Sequence, residues 1–195
     1  MHFSSMQHME RLIQQYLVHD TELTILDIGS YDVNGSYKSL LTSPKWSYTG
    51  IDLAAGPNVD LVLTSPYQLP LPDEHADVVI SGQAFEHIEF FWLTWIEIER
   101  VLKPGGYVFL IAPSRGPEHG YPVDCWRYYP DGFRALAKYA KLELIESGTD
   151  WGIHEDQASA AWGDTIGVFR KPIHGWRGKL KHKVRARLHR LLAPF

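Results

Sequence analysis

"TILDIGSYDVNGSYKSLL", residues 24–41, joins a short apolar run to a polar turn that starts at Gly29. An apolar run without polar alternation is typical of a strand that is buried on both faces of a parallel sheet. Glycine at the end of such a strand permits a backbone angle that other residues avoid and a close backbone approach. The stretch therefore predicts a strand, a ligand-binding turn, and then a helix that begins at Gly35.

Four more apolar runs bounded by turn residues predict further strands, at residues 48–53, 59–64, 76–81 and 106–113. An apolar helical stripe that includes Met9 and Ile13 predicts a leading helix. A second stripe, which includes Trp95 and Ile98, predicts a helix between the last two of these strands, ended by KPGG at 103–106. This alternation indicates a parallel sheet with crossover helices.

The alternation of predicted strands and helices stops after the fifth strand. Residues 114–132 form a long aromatic loop rich in turn formers, and a helix is predicted to start near Pro130. Residues 142–148 and 164–172 predict two closing strands, and the segment between them is too short and polar for a full crossover helix. We therefore predict an α/β fold with a doubly wound, mostly parallel sheet of seven strands, an antiparallel final strand, and helices on both faces.

Charge divides the chain into a body and a tail. The formal net charge is −4, yet residues 171–195 carry eight Lys and Arg and no acid. The acidic remainder argues against a broad nucleic-acid footprint. We predict one domain at 1–172 and a basic amphipathic helix or tail at 173–195. The tail could bind an anionic membrane surface, a partner or nucleic acid, or simply pack on the protein; these alternatives stay open.

Cysteine content and hydropathy limit the cellular context. The single cysteine, Cys125, excludes a disulfide framework, and we expect its side chain to be half buried. The chain has neither a signal-like start nor a run of eighteen apolar residues. We expect a cytoplasmic protein, with peripheral attachment to the inner membrane surface as the alternative that the tail leaves open.

Two carboxylates at strand ends indicate the kind of cofactor. Asp27 precedes the first turn, and Asp52 ends the second strand, where an acidic side chain can reach the hydroxyls of a ribose. Asp27 would repel a pyrophosphate on the turn, and the turn lacks the third glycine that such a loop often has. A nucleoside cofactor with a positively charged amino acid end fits better.

The ordered motifs LDIGS, GIDL, LPLPDEHADVVISGQAFEHI and ERVLKPGGYVFLIAPS, within residues 24–114, resemble those of the class I S-adenosylmethionine-dependent methyltransferases. The resemblance implies a Rossmann-like fold and S-adenosyl-L-methionine as cofactor. It implies methionine-side contacts from five residues and nucleoside contacts from three: Asp27, Gly29, Ser30, Gln83 and Ala84, then Asp52, Leu53 and Ser65. Relatives often have an aspartate where this chain has Ser65.

Methyl transfer to a hydroxyl also requires a base, because the protein must remove a proton while it positions the two partners. The candidates at the carboxyl ends of the strands are His87, His119, Asp124 and His154, with His119 or His87 preferred. A metal set of Glu118, His119 and Asp124 is conceivable, but its spacing is not diagnostic, and we predict no metal. CWRYY at 125–129 could stack on a ring and pair with an anion, or could pack on the core as a lid.

The predicted function is S-adenosylmethionine-dependent O-methylation of a hydroxyl on a small molecule or glycan. The alternatives are a carbon or carboxyl methyltransferase and a non-catalytic protein that binds the cofactor. SGQAF after the fourth strand lacks the double proline motif of members that methylate amides and bases, which makes nucleic acid an unlikely acceptor.

Overall fold

The computed structural model describes residues 2–173, which form one seven-stranded sheet with helices on both faces. The elements in chain order are α1 (Phe3–Tyr16), β1 (Leu23–Ile28), β2 (Trp46–Asp52), β3 (Leu61–Val62), β4 (Ala76–Gly82), α2 (Phe91–Val101), β5 (Leu102–Pro113), α3 (Pro130–Ala140), β6 (Glu143–Thr149), α4 (Gln157–Trp162) and β7 (Asp164–Arg170). The predicted basic tail from His174 onward lies outside the described residues.

The strands lie in the order β3-β2-β1-β4-β5-β7-β6. Strands β1 to β5 are parallel, and β7 runs antiparallel to both β5 and β6. This confirms the predicted sheet, including the closing hairpin. Because the winding direction reverses between β1 and β4, a crevice opens at their carboxyl ends, where doubly wound sheets bind ligands.

Alternate residues of the strands fill two apolar layers, as the two-residue repeat of a strand requires. On β1, Ile25 joins the layer that α1 covers, together with Met9. Leu26 points the other way and joins the layer beneath α2 and α3, together with Trp95 and Phe133. All five of these side chains are fully buried, so the apolar runs have the two-sided burial that their sequence predicted.

No α-helix follows β1, although the sequence led us to expect one beginning at Gly35. The chain forms only a short 3₁₀ turn at Tyr37–Leu40. The reason is a set of hydrogen bonds to the loop after β2. The Asp32 N–H donates to the Pro57 carbonyl at 3.1 Å, and the Asn58 amide donates to Asp32 Oδ2 at 3.1 Å. These bonds hold the segment after β1 against the loop after β2 and so compete with the formation of an α-helix.

KPGG at 103–106 does not end α2, which is a second correction. The helix stops at Val101, and β5 begins at once because Leu102 already pairs with Ala76 of β4. Within this extended stretch, Lys103 Nζ binds Asp77 Oδ2 at 2.7 Å. Sheet pairing therefore prevails over the local glycine signal. Among residues 2–173, no helix is long and apolar enough to cross a bilayer.

Arg100, near the end of α2, fixes the loop that leads from β3 to β4. Its buried guanidinium forms two 2.9 Å bonds with the Glu97 carboxylate, and it also donates to the carbonyls of Leu69 and Leu71 and to Asp73 Oδ1. A buried charge with this many partners is costly to remove, since the partners lose their compensation together. The loop 64–73 therefore depends on one side chain from the opposite element.

Replacing Arg100 by methionine should lower the free energy of unfolding by about 3–5 kcal/mol, because Glu97 stays buried without its counter-ion. Urea unfolding followed by circular dichroism measures this change. The matched control is Arg134→Met on the exposed pair with Asp131, whose nitrogen and oxygen are 3.7 Å apart. That variant should stay within about 0.5 kcal/mol of the parent. Similar losses in the two variants would contradict the assignment.

Candidate functional site

The carboxyl ends of β1 and β4 come into contact through Gly29. Its φ of +81° is in the left-handed region, and a β-carbon placed on it would lie 2.3 Å from the β-carbon of Ala84. Side chains are excluded here by both backbone angle and space. Gly29 therefore allows the loop after β1 to pack against the loop after β4. It would also allow a ligand to approach the backbone closely. The two loops that were predicted to hold the methionine end are adjacent.

Asp27 lies beneath this contact and is almost fully buried. The Tyr48 hydroxyl donates to its Oδ2 at 2.9 Å. Burial raises the pKa of the Asp27 carboxyl to about 7, against a smaller opposing effect of the Tyr48 hydrogen bond. The structure records no basic side chain bonded to this carboxyl among the described residues. A cationic group brought next to Asp27 would favour its ionised form.

Ser30 and Asp52 offer polar atoms to the same crevice. The buried Ser30 hydroxyl has no hydrogen-bond partner in the described part of the chain. Asp52 accepts three backbone N–H groups, from Leu53 at 2.7 Å, Tyr31 at 3.1 Å and Ala54 at 3.2 Å. A carboxylate has about four acceptor positions. One remains for a ribose hydroxyl, and a second hydroxyl would have to displace a backbone donor.

An exposed apolar residue follows Asp52. Leu53 is 49% exposed, and its predicted contact with the nucleoside stays a prediction. Ser65, the predicted partner of the adenine amino group, is half buried, and its hydroxyl accepts the Tyr67 N–H at 3.3 Å. Its assignment to adenine stays a prediction. Tyr31 is 40% exposed, and its ring lies against Gly56 in the loop after β2.

Gln83 opens the loop after β4 in a strained conformation, with a φ of +56°. Its side-chain amide donates to Asp164 Oδ1 at 2.8 Å. The same carboxylate binds the His2 ring at 2.9 Å and accepts the Ser4 hydroxyl at 2.8 Å. Asp164 therefore ties the β4 loop to the beginning of α1. A left-handed non-glycine residue held by tertiary contacts is a feature that concentrates at functional sites.

Three and four residues after Gln83, Glu86 and His87 lie in a short 3₁₀ turn. The His87 Nδ1 donates to the Val123 carbonyl at 2.6 Å, so its Nε2 is the unprotonated nitrogen of the neutral ring, 3.7 Å from Glu86 Oε1. Burial lowers the pKa of His87. Burial also raises the pKa of the Glu86 carboxyl to about 8. The Oε2 atom of Glu86 has no hydrogen-bond partner in the described chain.

His119 comes to this turn from the long loop after β5. Its ring centroid is 4.8 Å from that of His87, edge to face. Asp124 accepts the His119 backbone N–H at 2.8 Å and contacts Nδ1 at 3.2 Å. Arg127 holds Asp124 with bonds of 2.6 and 2.8 Å, and this pairing keeps the pKa of the Asp124 carboxyl well below its usual range. The ionised Asp124 thus orients His119 with Nε2 free.

The three predicted catalytic residues, His87, His119 and Asp124, therefore meet in one cluster. His154, the other histidine considered as a base, lies apart from them and contacts Asp150 Oδ2 at 3.1 Å. Glu118 does not share the cluster with His119, as the conceivable metal set would have required; Glu86 and His87 do. Their ligand atoms and that of His119 all lie within 4.8 Å of one another.

The aromatic loop segment CWRYY packs on the protein only in part. Tyr128 is buried and its hydroxyl donates to the Phe85 carbonyl at 3.0 Å, while Arg127 is occupied by Asp124. The lid interpretation thus describes Tyr128, whereas Trp126 and Tyr129 are exposed, the latter against Trp151. Cys125 is exposed, so the expectation of a half-buried thiol is wrong. Its backbone N–H is bonded to the Glu86 carbonyl, which directs the side chain outward.

Two site residues escaped the sequence analysis. Glu86 lies in FEHI next to Phe85. A carboxylate that is buried beside apolar residues indicates a functional role, but its burial becomes evident only in the fold. Asp164 opens an apolar strand, and the same is true of it. Tyr37 shows how these groups converge: burial raises the pKa of its hydroxyl well above the usual range, and the charges of Asp164, Asp27 and Glu86 add to the effect.

The sequence matches known methyltransferases over most of its length. A family model described as "Methyltransferase domain" matches residues 26–110. An uncharacterized methyltransferase of Mycobacterium ulcerans is 30% identical over 156 aligned positions, which cover 72% of this chain and 58% of that protein. The chain thus spans less than two thirds of the length of this relative.

Solved structures share the fold at low sequence identity. A chain from the complex between the Haloferax volcanii Trm112 methyltransferase activator and a methyltransferase superposes with a TM-score of 0.66 at 18% identity, covering 87% of this chain and 91% of that one. The Burkholderia thailandensis 1,6-didemethyltoxoflavin-N1-methyltransferase, solved with 1,6-didemethyltoxoflavin and S-adenosylhomocysteine, gives 0.67 at 15% identity, covering 87% and 79%. Such likeness supports the fold.

These matches confirm the predicted family, and with it the predicted cofactor class. The seven-stranded sheet with its antiparallel β7, the acidic ends of β1 and β2, and the matched domain model agree with one another. Residues 26–110 therefore form a methyltransferase domain of the class I S-adenosylmethionine-dependent kind, as the sequence motifs predicted.

Proposed function

We propose that this protein transfers a methyl group from S-adenosylmethionine to a hydroxyl of a small molecule or glycan. The observation that carries the proposal is the cluster at the crevice, in which an ionised Asp124 orients His119 and leaves its Nε2 free. An oriented imidazole is the usual group for removing a proton from a hydroxyl. Carboxylate acceptors would not require it, since they are already ionised at neutral pH.

The residues around the switch point suit the cofactor. Asp27 is a buried carboxyl without a bonded cation, Ser30 is a buried hydroxyl without a partner, and Leu53 is an exposed apolar side chain beside Asp52. These would receive the α-ammonium end, a polar atom of the methionine part, and the face of adenine, respectively. Gln83 and Ala84 would border the methionine part from the β4 side. When bound, the cofactor supplies a methyl group on a positively charged sulfur.

The proton has a defined path in this arrangement. His119 Nε2 accepts the hydroxyl proton while Asp124 stabilises the imidazolium through Nδ1, and Arg127 keeps Asp124 ionised. The acceptor oxygen then forms its bond to the methyl carbon as the carbon–sulfur bond breaks, which leaves a neutral thioether and a methyl ether. Positive charge passes from sulfur to imidazolium, so the charges balance. His87, whose ring edge meets His119, limits where the acceptor can lie.

A direct test is formation of S-adenosylhomocysteine from S-adenosylmethionine with a panel of phenols, sugar alcohols and glycosides. We expect turnover with at least one hydroxyl acceptor and identification of a methyl ether by mass spectrometry. Methylation confined to carboxylates or carbon acids would contradict the proposed acceptor class. Cofactor binding without turnover on any acceptor class would favour the non-catalytic alternative. Docking of the basic tail on a partner or a membrane surface stays a proposal, because the tail lies outside the described residues.

Loss of the Asp52 carboxylate should weaken cofactor binding by about 10- to 100-fold, because hydrogen bonds to a charged group contribute about 1.5–3 kcal/mol each. Isothermal titration of Asp52→Ala with S-adenosylhomocysteine measures this. Asp60→Ala is the matched control, since Asp60 also accepts a backbone N–H, from Gly50 at 2.8 Å, but lies just before β3. An unchanged Kd for Asp52→Ala, or an equal loss in both variants, would refute the ribose assignment.

Cofactor binding should release a proton from Asp27 at pH 6 and much less at pH 7.5. The Asp27 carboxyl, with its pKa raised by burial to about 7, is mostly protonated at the lower pH and mostly ionised at the higher. An adjacent ammonium lowers that pKa and so drives the proton off. Titrations in two buffers of different ionisation enthalpy give the number of protons released.

Asp27→Asn is the control for this measurement, because the amide keeps the shape but cannot titrate. The pH 6 release should fall by up to about one proton in this variant. The same raised pKa means that the free protein loses stability as pH rises from about 4 to 7, and Asp27→Asn should flatten this slope. Equal proton release in parent and variant would show that another group is responsible.

His119→Gln should reduce kcat by about 100-fold or more, since general base catalysis contributes 10²- to 10⁴-fold, while the cofactor Kd should change by less than about two-fold. Asp124→Asn should lower kcat by a smaller factor because the ring loses its orientation. His19→Gln is the matched control, because His19 contacts Trp46 at the amino ends of β1 and β2, away from the crevice. An unchanged kcat in His119→Gln would show that His119 is not the base.

A further inference from the structure

The Glu86, His87 and His119 side chains form a second kind of site within the cluster. We propose that Glu86, His87 and His119 bind one divalent transition-metal ion of the zinc type, in a three-ligand site with an open position. Their ligand atoms lie within 4.8 Å of one another, and these are the residues that meet this condition in the described part of the chain. Two imidazoles and one carboxylate suit zinc or a similar ion better than magnesium or calcium.

The tautomers of both rings are set for coordination. The Val123 carbonyl can only accept, so His87 Nδ1 carries the proton and Nε2 keeps its lone pair. Asp124 does the same for His119 through Nδ1. Metal-bound histidines almost always donate their other ring nitrogen to a carbonyl or a carboxylate in this way. Each ring therefore keeps a lone pair on Nε2, and that of His87 lies 3.7 Å from Glu86 Oε1.

Glu86 provides an independent indication. It is 1% exposed, and its Oε2 has no hydrogen-bond partner among residues 2–173. A buried carboxylate oxygen without a partner is costly unless a ligand satisfies it. Arg127, the nearby cation, donates through its two terminal nitrogens to Asp124 and to the Pro117 and Trp126 carbonyls. Its buried Nε, like Glu86 Oε2, has no hydrogen-bond partner among the described residues. A cation bound at Oε2 would remove this cost.

The distances require only a modest closure. Ligand atoms around one zinc ion lie roughly 3–3.5 Å apart when each bond is about 2.0–2.2 Å. The Nε2 of His87 is already 3.7 Å from Glu86 Oε1. The longest separation in the set, up to 4.8 Å, would have to shorten by about 1.3–1.8 Å, and His119 lies on the loop after β5, which can supply this movement. The turn that carries Glu86 and His87 is held in place by the Cys125 and Tyr128 hydrogen bonds to its backbone.

A second histidine pair, within the described part of the chain, lacks these properties. His8 and His154 both approach one oxygen of Asp150 through Nε2, at 2.8 and 3.1 Å. A ring nitrogen that donates to a carboxylate carries a proton and cannot bind a metal at the same time. This pair is therefore the natural control for metal binding through histidine in general.

The ion would have a chemical role only if the proposed function holds. With the ion bound, His119 Nε2 would be a ligand and would not act as the base. An acceptor hydroxyl at the open position would have a lowered pKa, and its proton would pass to water. Binding itself does not depend on that function, because it requires neither cofactor nor acceptor. Failure to bind the ion would leave the base role of His119 intact, so the two proposals can fail separately.

The test is Co²⁺ titration of the full chain, purified without a histidine tag and stripped with EDTA. We expect visible absorption bands between about 500 and 650 nm that saturate at one ion per chain, and displacement of Co²⁺ by Zn²⁺. Glu86→Gln and His119→Gln should each weaken Co²⁺ binding at least about ten-fold, and His154→Gln should leave it unchanged. Asp124→Asn should weaken it about 10- to 100-fold, as loss of a group that orients a ligand does.

Two results would overturn the site. One is the absence of Co²⁺ bands in the parent protein. The other is loss of binding in His154→Gln together with full binding in Glu86→Gln and His119→Gln. Thermal melts of the cofactor-bound variants establish that each is folded. His87→Gln replaces Glu86→Gln if the latter does not fold.

Discussion

The contact between Gly29 and Ala84 is the constraint on which the whole site depends. It joins the carboxyl ends of β1 and β4 at the point where the winding of the sheet reverses, and it leaves no room for a side chain on Gly29. Because the loops meet there, the methionine-side residues on one and the Glu86–His87 turn on the other become parts of one crevice. A cofactor and an acceptor that occupy this crevice would be neighbours by virtue of the sheet topology alone.

The sequence predicted those features whose causes are local. Seven strands followed from apolar runs, and Asp27 and Asp52 from their positions at strand ends, because burial on both faces and the parallel direction leave a direct mark on the chain. The helix expected at Gly35 failed for a tertiary reason, since Asp32 bonds to Pro57 and Asn58. Pairing of Leu102 with Ala76 likewise overrode the glycine signal that should have stopped α2.

The candidate site could be predicted only in part for the same reason. His87, His119 and Asp124 were found as residue types able to carry a proton, yet nothing in their spacing indicated that two rings from different loops would meet edge to face. Glu86 and Asp164 acquire their roles from contacts between distant segments. The arginine that looked available for an anion is held by Asp124. Residue type thus identifies candidates, and the fold decides which of them are free.

The Asp164 carboxylate gives the site an unusual dependence on the order of assembly. It joins His2 to the last strand, a separation of 162 residues, and from there it holds Gln83. Contacts between such distant segments are slow to form, because closing a long loop costs entropy before the contact repays it. The β4 loop therefore reaches its final shape only after both ends of the domain have met. Ligand binding in this protein consequently requires that α1 is docked on the sheet. A chain in which the sheet has formed but α1 has not docked would show secondary structure and still fail to bind the ligand.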